Sequence, residues 1–98
     1  MTATIVKGDG WLRTLGFGSS TASYEITVRR SGADEAAPSA DGVLTAEVGT
    51  MVEARHARRA VLVLEDGRAV GIDIRDLTPS GLAFTIRADS HRSIDIFL

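Results

Sequence analysis

Apolar and polar residues alternate along most of this chain. "SYEITVRR" sets Tyr24, Ile26 and Val28 against Glu25, Thr27 and Arg29. "VGIDIR" sets Val70, Ile72 and Ile74 against Gly71, Asp73 and Arg75. "LAFTIR" sets Leu82, Phe84 and Ile86 against Ala83, Thr85 and Arg87, and "SIDIFL" brings Ile94, Ile96 and Leu98 to one face. A period of two marks half-buried antiparallel strands. "AVLVL", Ala60 to Leu64, is apolar on both faces and predicts a central strand covered on both sides.

Turn residues punctuate the strands. "GDG" at Gly8 to Gly10 predicts a turn between "TATIVK" and "WLRTL". Asp66-Gly67 in "EDGR" suits a two-residue type I′ hairpin loop, in which both positions need positive φ. That register sets Glu65 opposite Arg68, Val63 opposite Val70 and Val61 opposite Ile72. Leu62 and Leu64 then point outward, where Phe97 could join them, and the three predict an interaction face. Its cover is either the helix described next, through Met51 and Val52, or a second copy in a homodimer. "TPSG", Thr78 to Gly81, fits a type I turn, and "ADSHRS", Ala88 to Ser93, the last loop. "SGADEAAPSADG", Ser31 to Gly42, has no bulky apolar anchor and predicts a mobile loop between strands.

One segment departs from period two. In "GTMVEARHAR", Met51 and Val52 follow Val48 at helical spacing, and Thr50 and Glu53 fit a capping box. A short helix is expected over about 51–58. The fold class is therefore mainly β. It is a single domain over 1–98, a small antiparallel β-barrel or sandwich of six to eight strands with one short helix.

Composition narrows the use of such a domain. Apolar residues make up 44% of the chain but only 5% is aromatic, so Val, Ile, Leu and Ala must form the core. A net charge of −2 argues against general nucleic-acid binding, which needs a surplus of cations facing phosphate. Without cysteine there are no disulfides, thiolate nucleophiles or thiolate zinc sites. "MTATIVKGDGW" lacks a basic segment followed by an apolar one, and no run reaches the roughly 18 apolar residues of a membrane helix. A cytoplasmic protein without membrane contact is the expectation. Arginine outnumbers lysine ten to one, Lys7 being the single lysine, and Ala and Gly are abundant. A GC-rich genome would explain both as easily as function would.

Candidate chemistry is sparse. His56 and His91 are the two histidines, and neither a G-x-S-x-G nor an H-E-x-x-H motif surrounds them. No catalytic residue, metal site or cofactor is assigned. Asp89 and His91 read as parts of a polar loop. "GFGSSTAS", Gly16 to Ser23, lacks the lysine and following helix of a phosphate loop, and reads as a flexible strand connection. "EARHARRAV" is denser in charge. Arg58 and Arg59 suit a helix C-terminus. Arg55 falls within the arc of Val48, Met51 and Val52, so it must snorkel, pair with a carboxylate such as Asp73, Asp76, Asp89 or Asp95, or hold a ligand.

"RHARR", Arg55 to Arg59, followed by a strand and "DLTPSG", Asp76 to Gly81, resembles the paired motifs of the PilZ family of bacterial cyclic di-GMP receptors, R-x-x-x-R and D/N-x-S-x-x-G. Thr78 stands where serine is usual. The resemblance covers about Arg55 to Ile86. It implies a small β-barrel with a nucleotide pocket using Arg55, Arg59, Asp76, Thr78 and Gly81, in which paired guanidiniums grip phosphates and stack on purines. Together these features describe a small non-enzymatic binding or interaction module of bacterial type. Its partner is an unidentified protein or a second copy of itself, and a PilZ-like nucleotide module is the alternative.

Overall fold

Leu12, Leu62 and Val70 lie side by side on three adjacent strands and are all fully buried. They form one layer of a closed barrel. The computed structural model describes residues 2–16, 18–30 and 39–87. Its elements are β1 (Thr2–Thr14), β2 (Ser19–Arg30), β3 (Ser39–Ala46), α1 (Val48–Ala57), β4 (Arg59–Val63), β5 (Ala69–Thr78) and β6 (Gly81–Ile86). All described pairings are antiparallel, in the order β1-β2-β3-β6-β5-β4, and β4 returns to β1 to close the ring. Among the described residues the fold is thus mainly β, a closed six-stranded antiparallel barrel with one short helix, as the alternation predicts.

The alternation also identifies the inner face. Tyr24, Ile26 and Val28 of β2, Val70 and Ile72 of β5, and Leu82, Phe84 and Ile86 of β6 are buried together. Each Leu or Ile taken from water contributes about 1.5–3 kcal/mol, so these sets define the register. The helix lies across one end, touching β1, β3, β4 and β5, and buries Thr50, Met51 and Ala54. No helix among the described residues is long and apolar enough to cross a membrane.

Several local expectations are corrected. "GDG" is not a turn: β1 runs unbroken through it. Gly8 lies opposite Tyr24, and the phenol ring occupies the space a side chain would take. The 65–68 hairpin has a three-residue loop, not a type I′ turn. Gly67 adopts φ 92°, but Asp66 is not in the positive-φ region. Gly67 N donates to the Leu64 carbonyl at 2.9 Å and Leu64 N donates to the Arg68 carbonyl at 2.7 Å. Such a loop places one glycine in a left-handed bulge. Leu62 therefore pairs with Val70 and Ala60 with Ile72. The one-residue shift turns every side chain of β4 over. Leu62 and Leu64 are not an interaction face but part of the barrel core, while Val61 and Val63 are half-buried outside. Glu65 does not pair with Arg68. It accepts the Asp9 backbone N–H at 3.1 Å, and Arg68 lies 3.5 Å from Asp66.

The helix is shifted too. It begins at Val48, before the proposed capping box, and its N-cap Glu47 makes no side-chain cap bond. Glu53 instead accepts hydrogen bonds from Thr14 Oγ1 and Gly18 N, tying the β1–β2 turn to α1. Val48 and Val52 are exposed, so the helix does not cover an outer leucine face through Val52. The serines of "GFGSSTAS" enter β2, whose start at Ser19 shortens the connection expected there. β3 starts at Ser39, within the segment expected to be a loop. Residues 31–38 and 88–98, with Asp89, His91 and Phe97, lie outside the described residues.

Candidate functional site

The segments "RHARR" and "DLTPSG" meet at the corner where α1 ends, β4 begins and β5 ends. Arg58 forms the corner. It takes the left-handed conformation, φ 64°, and donates its N–H to the Ala54 carbonyl at 2.9 Å, which stops the helix. Its own carbonyl accepts the Ile74 N–H at 2.8 Å, which starts the strand pairing. The role of Arg58 is thus carried by its backbone.

Arg55, on the last turn of α1, points its Nε at Asp76 Oδ1, 3.5 Å away. Arg59 faces its cross-strand partner Asp73, with Nε 3.8 Å from Oδ1. Thr78 and Gly81 close the β5–β6 turn on each other: Thr78 Oγ1 donates to the Gly81 carbonyl at 2.9 Å and accepts the Ser80 N–H at 3.2 Å. Gly81 has φ 131°. The corner therefore joins Arg55 to Asp76, one of the carboxylates its position called for, and sends Arg59 to Asp73. Both arginines carry a carboxylate partner. His56 is exposed on the helix.

Arg55 is not on a buried stripe. Its side chain is 55% exposed and that of Asp76 is 62% exposed. Exposed pairs contribute about 0–1 kcal/mol. Arg55→Leu should therefore shift a urea melt by no more than about 1 kcal/mol, and a loss of several would mean that the pair is shielded from water.

Two surface features escaped the sequence reading. The first is the true outer face of β4. Trp11 of β1 is 50% exposed and lies opposite Val63, which lies opposite Ala69. In the next row Arg13 lies opposite Val61, opposite Gly71. An apolar strip thus crosses β1, β4 and β5 on the outside of the barrel. Correct loop length at Asp66-Gly67 was the signal needed to find it.

The second is an open groove of about 860 Å³ on the outside of β2, β3 and β6, with Lys7 and Arg75 among its lining residues. Arg75 owes its position to a β-bulge. Ile74 pairs with Phe84 and Asp76 with Ala83, leaving Arg75 as the extra residue. Beyond the bulge Asp76 stays outside and Leu77 turns toward the core. The sequence carries this signal, since Leu77 falls out of phase with Val70, Ile72 and Ile74. Among the described residues, no three His, Asp or Glu gather as a metal site.

No family model matches this chain, and no curated protein and no solved structure matches it either.

Proposed function

We propose that this chain is a small non-enzymatic binding module that docks a protein partner on the strip formed by Trp11, Val61, Val63 and Ala69. The observation that carries this reading is the half-exposed Trp11 lying beside the two half-buried valines on the outside of a closed barrel. Single exposed apolar residues are ordinary. A strip across three strands with an indole at one end is the composition of an interface centre, where tryptophan is enriched and charge depleted. A second copy is the first partner to consider, because an apolar strip is complementary to itself about a two-fold axis.

A photo-reactive phenylalanine analogue in place of Trp11 should cross-link to one discrete protein band in cells that make the chain. The same probe in place of the exposed Val48 should not. The mass of the adduct tells a second copy from another protein. Equal labelling from both positions, or none from position 11, would sink this reading.

A second reading, PilZ-like binding of cyclic di-GMP, has one observation in its favour. The Arg55–Asp76 contact brings the two motif segments together. A nucleotide would have to displace Asp76 and Asp73 from the two arginines. Saturable shifts at Arg55 and Arg59 on titration with cyclic di-GMP, with Trp11 unmoved, would favour this reading over the first; a flat titration removes it.

A further inference from the structure

We infer that the outer groove is a binding site for a small ligand with an anionic head and an apolar body, with Arg75 as the residue that holds the head. This site is separate from the Trp11 strip and does not depend on it.

Charge on the groove gives the sign of the ligand. Its walls carry four ionic side chains, Lys7, Glu25, Asp41 and Arg75. Lys7 Nζ lies 3.7 Å from Glu25, and Arg29 is bonded to Asp41. The neighbouring carboxylates on β5 are also engaged, Asp73 by Arg59 and Asp76 by Arg55. Glu25, Asp41, Asp73 and Asp76, the carboxylates described around the groove, thus each have a cation. Arg75 is exposed, and among the described residues its guanidinium is left without an ion pair. A planar guanidinium offers a fork that matches carboxylate or phosphate oxygens in pairs.

The backbone supports the same assignment. A bulge inserts one residue into a strand and can re-aim a side chain, and bulges are over-represented at sheet edges, at barrel rims and beside active sites. Here the extra residue is Arg75 itself, set beside Ala83 on β6. Cross-strand from Ala83 is Val43 of β3. Both are half-buried and line the groove, so an apolar floor leads away from the guanidinium. Hydroxyls of Ser23, Thr27 and Thr45 border that floor. The volume of about 860 Å³ lies within the range of small-ligand sites. With Lys7 held by Glu25 at the far side, Arg75 is the cation on offer beside the apolar floor, which selects a molecule with one anionic end.

The test is a set of nuclear magnetic resonance titrations with four probes: hexanoate, hexyl phosphate, hexylamine and inorganic phosphate. Hexanoate or hexyl phosphate should shift the Arg75 Nε–Hε signal and the Val43 and Ala83 amides together and saturably. The stronger of the two identifies the head as carboxylate or phosphate. Hexylamine and inorganic phosphate should leave Val43 and Ala83 in place. Arg75→Gln should weaken binding by about tenfold or more, while Arg13→Gln, on the opposite strip, should leave it unchanged. An equal response to hexylamine, an Arg75→Gln variant that binds as the wild type does, or Arg75 shifts without Val43 and Ala83 would each overturn the proposal.

Discussion

Leu62→Ala should destabilise the fold by about 2–5 kcal/mol in a urea melt, the range for deleting a fully buried leucine. Val63→Ala, one residue along the same strand, should lose only about 1 kcal/mol. Leu62 has no exposed surface and lies between Leu12 and Val70 on its neighbouring strands. Removing its isopropyl group leaves a cavity walled by strands that are hydrogen-bonded on both sides and cannot collapse into it. Val63 lies outside, opposite Trp11, where water fills whatever is removed. The ratio of the two losses reports the register of β4 directly. A two-residue loop at Asp66-Gly67 would point Val63 inward and reverse the order, so equal or reversed losses would restore it.

That hairpin also explains what could and could not be read from the sequence. Asp-Gly between two apolar runs announces a hairpin, and the hairpin is there. Its loop length is not a local property. Both the two-residue and the three-residue loop accept glycine at position 67, because each needs a left-handed residue there. The choice falls to the strands. The three-residue loop puts Leu62 and Leu64 in the core and leaves the smaller Val61 and Val63 outside. It also lets Asp66 Oδ1 accept the Arg68 N–H at 2.9 Å. Burial of two leucines therefore decides a register that turn chemistry leaves open.

The other corrections share this cause. Thr50 and Glu53 have the spacing of a capping box, but Glu53 finds Thr14 and Gly18, which are distant in sequence and adjacent only once the barrel has closed. Arg55 falls on an apparent apolar stripe, yet the stripe is not what the barrel end covers. Thr50, Met51 and Ala54 face inward, which leaves Val48 and Val52 in water and Arg55 at the rim, within reach of Asp76. Strand identity in β2, β5 and β6 was legible because alternation is local. The candidate sites were less so. "RHARR" and "DLTPSG" stood out as motifs, while the groove beside Arg75 rests on a bulge that appears in the sequence only as the phase break at Leu77.

Gly10→Ala should damage the fold more than any ordinary glycine replacement, because it strikes the seam that closes the barrel. β4 joins β1 only between Trp11–Thr14 and Ala60–Val63. Gly10 is buried immediately before that seam, and a Cβ there would run into the Val63 carbonyl oxygen and lie 3.1 Å from the carbonyl carbon. The obstacle is backbone, so no side-chain rotation relieves it. Overpacking in a core costs about 1–3 kcal/mol, and the relief available here is separation of β1 from β4. The variant should therefore lose stability by at least that amount. Amide exchange in β4 should also accelerate ahead of exchange in the long β1–β2 pairing, which runs from Thr2↔Arg30 to Arg13↔Ser19. Gly49→Ala supplies the opposite sign. Gly49 is exposed within α1, and its nearest obstacle is the Glu47 carboxylate at 3.8 Å. There alanine should stabilise by up to about 1 kcal/mol through helix propensity. If Gly10→Ala proved as harmless as Gly49→Ala, or if β1–β2 opened before β4, the close contact that shuts this barrel would not exist.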